Sequence, residues 1–162
     1  MGALDMKSIP LTQGKFALVD DEDYDWLSVW KWTYSHGYAW RNRRVNEINK
    51  YPASKIYMYR EIAGTPVGLD CDHVDHNGLN DQKANLRNCT HADNLRSGKA
   101  RKGSSGYKGV WRNEKLQMWA ANICVVGKTI HLGSHKDEVQ AAKAYDEAAK
   151  KYFGEFALLN FK

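Results

Sequence analysis

The chain has 162 residues, 43% of them hydrophobic and 12% aromatic, a composition typical of a folded protein and unlike a disordered one. Its formal net charge is +5, and its three cysteines, with no C-x-x-C pair, argue against a disulfide framework or a zinc ribbon. No apolar run approaches the ~18 residues that a membrane span needs, and residues 1–15 lack an apolar signal-peptide core, so we expect a cytoplasmic protein without membrane contact.

The charge is uneven along the chain. Residues 61–98 contain three Lys/Arg and six Asp/Glu, whereas residues 99–162 contain twelve Lys/Arg and six Asp/Glu. A basic C-terminal third beside a locally acidic centre fits a polyanion-binding module attached to a cation-binding site. A solvated basic face is the alternative interpretation of the same residues.

The first sixty residues read as a β-rich scaffold. Their pattern predicts two strands around a turn at 13–14, a short helix after the acidic run at 20–25, a hairpin around 35–37 and another strand at 55–59. Four tryptophans are expected to build a small core here, with base stacking as the minority interpretation: Trp26, Trp30, Trp32 and Trp40.

Three arginines follow the predicted hairpin in this scaffold: Arg41, Arg43 and Arg44. They indicate either a loop that contacts DNA phosphates or a solvated surface turn, since arginine-rich loops beside aromatic residues occur in both settings.

Residues 69–94 combine a short hairpin with the start of a helix. A strand at 69–73 leads into a polar loop around Gly78, and residues 86–89 read as the return strand. In the loop, Asp75 and Asp81 are expected to belong to a solvated turn rather than to act as spare metal ligands.

A capping box formed by Thr90 and Asp93 follows the hairpin and puts Asn94 in the first turn of a helix. This pattern can bring a carboxylate from Asp72, an imidazole from His73 and an amide oxygen from Asn94 to one point. Hard oxygen ligands suit Mg²⁺ or Mn²⁺ better than zinc, and an imidazole can take a proton from water. A structural hairpin with a polar loop is the alternative.

The order of these residues resembles the His-Asn-His (HNH) endonuclease family. The matching positions are Asp72-His73, Asn85-Leu86-Arg87 and Asn94. The resemblance implies one Mg²⁺ or Mn²⁺ ion per active site on Asp72 and Asn94, with His73 activating water. It also implies that Asn85 bonds across the loop to hold His73 in register, and that Arg87 contacts a phosphate. The last histidine of the family pattern is Asn94 here, which still offers an oxygen to a hard metal while zinc affinity should drop.

Residues 95–105 are rich in Gly, Ser, Lys and Arg and read as a basic flexible linker. After it, the pattern predicts three antiparallel strands at 107–112, 118–126 and 129–133, then an amphipathic helix at 137–152. The helix would cover one face of this sheet and leave the other face open.

The open face is predicted to bind DNA, because a sheet face with basic rims can sit in a major groove. It would present Trp111, Asn122, Cys124, Thr129 and His131, with Lys108, Arg112 and Lys128 at its edges.

The motifs YKGV, W-x-A-x-I, GK-x-I-x-LG, AA-x-AYD-x-AA and G-x-x-A-x-LNF resemble the plant Apetala-type, or ethylene-response-factor, DNA-binding domain over residues 104–161. Plant members carry several arginines on the first two strands, where this chain has Trp111, Asn113 and Cys124, and their strand-three tryptophan is His131 here. The resemblance therefore implies the fold and docking on DNA, but not the plant base preference.

Together the two resemblances predict an α+β protein. A small HNH ββα-metal nuclease domain with its β-rich scaffold would occupy residues 1–94, followed by the linker at 95–105. An Apetala-type three-stranded sheet packed on one helix would occupy residues 106–162. This combination resembles homing endonucleases of phages, bacteria and mobile introns.

The sequence thus favours a divalent-metal-dependent endonuclease that acts on double-stranded DNA. We expect a monomer or weak dimer, and with one active centre per chain it should cut one strand per binding event. A DNA-binding regulator with an inactive HNH fold is the main alternative, and an RNA nuclease is a third interpretation.

Overall fold

A computed structural model describes residues 6–47, 54–98 and 104–161. The chain divides into two compact units, Met1–His91 and Ala92–Lys162. The described residues form several small sheets and helices, an architecture compatible with the predicted α+β class. Within these ranges, no helix has both the length and the apolar character needed to cross a bilayer.

The first unit consists of short strands and helices, most of them close to their predicted positions. In chain order they are β1 (Met6–Pro10), β2 (Phe16–Asp20), α1 (Asp21–Ser28), β3 (Thr33–Ser35), β4 (Tyr38–Asn42), β5 (Lys55–Tyr57), α2 (Met58–Ile62), β6 (Asp70–His73) and β7 (Leu86–Cys89). The first helix includes the acidic run instead of following it, and residues 58 and 59, predicted to end a strand, begin the second helix. Strands β1 and β2 pair as one antiparallel hairpin, β6 and β7 as another, and β3, β4 and β5 form a three-stranded antiparallel sheet.

One of the four tryptophans, Trp32, is fully buried in the core of this unit. Trp32 is 2% exposed, and its indole N–H donates to the backbone oxygen of Leu27 over 2.9 Å. Trp30 packs against the core from its edge, whereas Trp26 is 40% exposed. The expectation of a four-tryptophan core was therefore wrong for Trp26, which is exposed on α1 and donates its indole N–H to the carboxylate of Asp23.

The hairpin β1–β2 fixes the loop that connects β6 to β7. The backbone N–H of Leu18 donates to the oxygen of Leu79, and the N–H of Asp81 donates to the oxygen of Leu18, both over 2.8 Å. The carboxylate of Asp20 accepts the backbone N–H of Lys83 over 2.8 Å. Because these bonds satisfy backbone groups inside the loop, the N-terminal scaffold determines the shape of the loop.

The second unit contains most of α3 (His91–Ser97), then β8 (Val110–Asn113), β9 (Met118–Val125), β10 (Lys128–His135) and α4 (Glu138–Phe153). The three strands form an antiparallel sheet with β9 in the centre. Helix α3 extends into the first part of the segment predicted to be a linker, and residues 99–103 of that segment lie outside the described residues.

Helix α4 packs on the sheet through small side chains. Its N-terminus is capped by Asp137, whose carboxylate accepts the N–H of Val139 over 3.0 Å. Ala141, Ala142 and Ala149 are fully buried, so the helix backbone can approach the sheet closely.

Two polar residues of the predicted motifs, Asp146 and Asn160, hold the C-terminal segment of this unit in place. The buried carboxylate of Asp146 on α4 accepts the backbone N–H of Asn160 over 2.8 Å and that of Phe161 over 2.9 Å. The side-chain oxygen of Asn160 accepts the backbone N–H of Lys108 over 2.6 Å. The C-terminal segment is thereby tied both to the helix and to the chain that enters β8.

Gly109 allows a close approach between β8 and α4. Its φ is +76°, and a Cβ here would lie 2.0 Å from the Tyr145 ring and 2.8 Å from the backbone oxygen of Asn122. We expect Gly109→Ala to lower the free energy of unfolding by about 1–3 kcal/mol more than Gly127→Ala does. Gly127 is the matched control because its φ is +73° with nothing within 4 Å of a Cβ. Equal midpoints in urea denaturation would contradict this prediction.

Candidate active site

The hairpin β6–β7 gives Asp72 and His73 different surroundings. Asp72 lies opposite Arg87 in the register, and His73 lies opposite Leu86. Because side-chain directions alternate along a strand, the carboxylate and the imidazole have separate partners, Arg87 for Asp72 and Asp81 for His73.

His73 is buried between aromatic rings and a carboxylate. It is 5% exposed, and its Nε2 lies 2.8 Å from Oδ1 of Asp81. Its ring centroid is 5.1 Å from that of Tyr59, in an edge-on arrangement, and 5.8 Å from that of Tyr38. With Nε2 engaged by the carboxylate and the ring held by its neighbours, Nδ1 is the nitrogen left to take a proton from water.

Asp81 is fully buried, which corrects the expectation of a solvated turn. Its relative exposure is 0%, because the backbone bond to Leu18 holds residue 81 beneath β2. Burial raises the pKa of Asp81, and the hydrogen bond to His73 opposes that rise. Its second oxygen, Oδ2, has no hydrogen-bond partner among the described residues.

Asn85 connects the two sides of the loop. Its side-chain oxygen accepts the backbone N–H of Asp75 over 2.9 Å, and its amide nitrogen donates to the backbone oxygen of Asn80 over 2.7 Å. The backbone oxygen of Asn85 accepts the N–H of Val74, the residue after His73, over 2.9 Å. Both ends of the amide are therefore used, as a cross-loop brace beside His73 requires.

The rest of the loop is held by Asp75 and by a glycine. Burial acts to raise the pKa of Asp75, but the hydrogen bonds from Asn80, the Asn77 N–H and Asn85 outweigh it and lower that pKa. A Cβ at Gly78 would lie 2.5 Å from the Tyr38 ring, so only glycine fits where the loop meets the β3–β4 turn.

Asp72 forms an ion pair with Arg87 across the hairpin. Oδ2 of Asp72 accepts from Nε of Arg87 over 3.0 Å and from Nη2 over 2.6 Å. Asp72 is 7% exposed, and the guanidinium compensates its buried charge. The structure thus places two predicted site residues, the metal ligand and the phosphate contact, side by side.

Asn94 lies half-buried on α3, which begins two residues after β7 ends, and it belongs to the second unit. Within the described ranges, there is no group of three or more His, Cys, Asp or Glu side chains that could hold a metal ion. The predicted donors, one carboxylate and one amide, form a different kind of set. Carboxylate and amide oxygens are of the type that Mg²⁺ prefers, since this ion binds few protein ligands and keeps several waters.

Arg41 is buried in the scaffold, where it pairs with two carboxylates of the protein. It is 4% exposed and forms ion pairs with Glu47 over 2.7 Å and with Glu61 over 3.2 Å. Its guanidinium carbon lies 3.8 Å from the centroid of the Trp30 ring. This arrangement corrects the expectation that Arg41 contacts DNA, because a phosphate would have to displace two carboxylates from a buried cation.

The other two arginines of this loop lie nearer to solvent. Arg44 is exposed, and its guanidinium carbon also lies over the Trp30 ring, 4.1 Å from the ring centroid. Arg43 is half-buried, and its backbone N–H donates to the oxygen of Ser54 over 2.8 Å.

The sheet of the second unit has one face turned away from α4. Trp111 is 41% exposed, and Thr129 and His131 on β10 are exposed as well. Asn122 lies directly opposite His131 in the register, and Cys124 lies opposite Thr129. These are the residues that the alternation of β9 and β10 predicts for this face.

The three basic residues predicted at the edges of the open face, Lys108, Arg112 and Lys128, have different surroundings. Lys108 donates from Nζ to the backbone oxygens of Arg96 over 2.5 Å and Gly98 over 2.6 Å, at the end of α3. These two bonds engage the amino group with backbone carbonyls, and burial lowers its pKa. This arrangement corrects the expectation that Lys108 contacts DNA from the edge of the open face. Arg112 donates to Gln117 over 2.9 Å beside the Trp119 ring, and Lys128 is exposed at the start of β10.

Similarity to known proteins agrees with the geometry of the first unit. A protein of Acanthamoeba polyphaga mimivirus, named an uncharacterized HNH endonuclease, is 30% identical to this chain over 143 residues. The match covers 85% of this chain and 74% of the viral protein. The chain belongs to the HNH endonuclease family. No family model matches the sequence.

This HNH protein is also similar to plant proteins named AP2-like ethylene-responsive transcription factors. Two from Arabidopsis thaliana are 40% identical over 72 residues and 41% identical over 63 residues, each match covering 38% of this chain. The chain spans only 17% and 11% of the length of these plant proteins. These similarities support both parts of the predicted resemblance, HNH and Apetala-type.

In this HNH protein, sequence reasoning missed the partner of His73. Asp81 lies in a stretch of Asn, Asp and Gln that has the composition of a solvated turn. No local pattern distinguishes it from the exposed residues around it. Its burial depends on pairing with Leu18, which lies more than sixty residues earlier in the chain.

Proposed function

We propose that this protein is a divalent-metal-dependent endonuclease that hydrolyses phosphodiester bonds in duplex DNA, of a site-preferring nicking or homing type. The proposal rests on the buried His73–Asp81 pair at the end of β6, in a chain of the HNH family. A histidine whose one nitrogen is held by a carboxylate presents the other nitrogen in a fixed direction, which a general base requires.

In this proposal His73 removes a proton from the attacking water at Nδ1. Asp81 acts through His73 as a positioning residue, since it fixes the ring and stabilises the imidazolium that forms. Asn85 keeps the loop closed, so that Val74 and His73 stay in register with the return strand.

Asp72 and Asn94 would hold the ion, Mg²⁺ or Mn²⁺, one per active site. When bound, the ion would stabilise negative charge on the phosphate and on the leaving oxygen. Arg87 neutralises Asp72 in the structure, and its guanidinium is the cation nearest to this carboxylate. The same guanidinium is suited to contact a phosphate oxygen of the bound strand.

The second unit would supply most of the affinity for duplex DNA. Its proposed contacts are Trp111, Arg112, Asn122, Lys128, Thr129 and His131, with Arg43 and Arg44 of the scaffold as further phosphate contacts. The nuclease domain would occupy residues 1–94 and the DNA-binding domain residues 106–162. Once the DNA-binding domain is bound, the tether raises the local concentration of the nuclease domain at the DNA. A monomer of this kind nicks one strand per binding event.

The test is cleavage of supercoiled plasmid DNA by the full-length protein with Mg²⁺ or Mn²⁺, compared with EDTA. We expect nicked circles to appear before linear DNA and only with a divalent ion. Tight, salt-sensitive binding of duplex DNA without cleavage in either metal would instead favour a DNA-binding regulator with an inactive HNH fold. Faster cleavage of single-stranded RNA than of duplex DNA would indicate an RNA nuclease.

Asp81→Asn tests the positioning role in this reaction. The amide keeps the size of the carboxylate but cannot stabilise an imidazolium, so the rate of nicking should fall at least about tenfold while DNA affinity is unchanged. Asp25→Asn, at an exposed position of α1, is the matched control and should nick at the wild-type rate. Wild-type nicking by Asp81→Asn would remove Asp81 from the mechanism.

A further inference from the structure

The open face of the second unit carries three polar groups, one on each strand, in a diagonal row across the sheet. Asn122 on β9 lies directly opposite His131 on β10. Trp111 on β8 lies opposite Ala120, which is two residues from Asn122 and therefore on the same face. One side chain from each strand thus contributes to the row.

The amide of Asn122 connects the other two side chains. In the amide orientation that satisfies all of its neighbours, the oxygen accepts the indole N–H of Trp111 at 3.2 Å, and the nitrogen donates to Nδ1 of His131 and to the backbone oxygen of Ala121, both at 2.8 Å. In the opposite amide orientation the oxygen would face the imidazole over the same 2.8 Å, and the NH₂ group would face the indole N–H. Because an indole nitrogen can only donate, this opposite orientation would place two donors, the NH₂ group and the indole N–H, against each other.

The direction of these bonds determines the tautomer of His131. Since Nδ1 accepts from Asn122, the proton of the neutral imidazole resides on Nε2. The exposed side of the ring therefore presents a hydrogen-bond donor. Trp111 is 41% exposed and His131 is exposed, so this donor is accessible on the face that α4 leaves open.

Charge indicates which partner covers this face. Residues 99–162 contain twelve Lys/Arg and six Asp/Glu, and Lys128, exposed at the start of β10, lies three residues before His131. A polyanion that carries base edges complements both the charge and the donor. In a major groove, guanine presents only acceptors, N7 and O6, whereas cytosine presents a donor.

We propose that the Trp111–Asn122–His131 row makes His131 a base-reading donor that selects guanine over cytosine at one position of the bound duplex. This inference rests on the proposed binding of duplex DNA and adds its specificity. Asn122 and Trp111 act through His131 as positioning residues, because they fix the imidazole in one tautomer and one orientation.

The test is selection from a pool of randomised duplexes by the full-length protein in EDTA, where no cleavage occurs. The recovered site should contain one position from which cytosine is depleted, and replacing guanine by cytosine at that position should weaken binding roughly 5- to 30-fold. With His131→Ala this preference should disappear at that position alone. Asn122→Ala and Trp111→Phe should reduce it, and the salt dependence of binding should remain that of the wild type. Glu147→Ala, exposed on α4, is the control and should keep the full preference.

Replacing that guanine by 7-deazaguanine removes the N7 acceptor and should weaken the wild type but not His131→Ala. Nitrogen-15 NMR of the free protein should show the Nε2–H tautomer for His131, which a merely structural histidine need not adopt. An Nδ1–H tautomer, or an unchanged guanine preference in His131→Ala, would overturn the inference while leaving DNA binding intact. Absence of any duplex binding would overturn the proposed function together with it.

Discussion

His73→Ala should reduce the rate of plasmid nicking by about 10²- to 10⁴-fold, the usual contribution of a general base. The substitution removes the nitrogen that takes the proton from water and leaves the Asp72–Arg87 pair intact. Affinity for duplex DNA should not change, because the second unit is proposed to supply most of it and His73 is not among the proposed DNA contacts. The measurement is single-turnover nicking at saturating DNA, with affinity determined separately in EDTA.

The control for this experiment is His36→Asn. His36 is exposed in the β3–β4 turn with a φ of +51°, a conformation that asparagine tolerates. It should nick at the wild-type rate. Equal nicked fractions for wild type and His73→Ala would disprove the assignment of His73 as the base. Loss of both nicking and DNA binding in His73→Ala would indicate a folding defect, which urea denaturation would reveal.

Arg41→Ala should lower the free energy of unfolding by about 3–5 kcal/mol, the usual effect of removing one partner of a buried ion pair. The guanidinium compensates Glu47 and Glu61, whose side chains are 15% and 7% exposed. Without it, two carboxylates remain close together with little access to water. The change should be visible as a lower midpoint in urea denaturation.

Arg44→Ala is the matched control, since Arg44 also lies over the Trp30 ring but is exposed. It should cost at most about 1 kcal/mol. Combining Arg41→Ala with Glu61→Gln should restore part of the loss, because one uncompensated charge is removed. A loss below about 1 kcal/mol for Arg41→Ala would show that water reaches the carboxylates, contrary to their burial.

The same pair predicts a dependence on pH. The hydrogen bond from Arg41 is the main cause that lowers the pKa of Glu47 from 4.5 to about 2, assisted by the Arg44 backbone N–H and opposed by burial. A lowered carboxyl pKa stabilises the fold above the unfolded value, and this contribution is lost as the pH falls through the folded value. The difference between wild type and Arg41→Ala should thus be largest at neutral pH and shrink between pH 4.5 and about 2.

Local patterns in the sequence predicted most of the strands and helices. The alternation in β9, the helical spacing of α4 and the turn residues between strands each depend on neighbours within a few positions, so a single stretch of chain contains the whole signal. The same holds for the hairpin that carries Asp72 and His73, and for the side of the sheet on which Asn122 and His131 lie.

Contacts between distant residues decided the rest. Asp81 and Arg41 look like exposed polar residues in sequence, yet both are buried, the first by pairing with Leu18 and the second by two glutamates. Lys108 likewise caps α3 rather than facing solvent. A charged group becomes buried only where the tertiary fold supplies its partner, and composition alone does not reveal that partner. The sequence by itself therefore determined the family resemblance and the strands and helices that carry the candidate residues, and the tertiary structure decided which of those residues are buried and which partners they have.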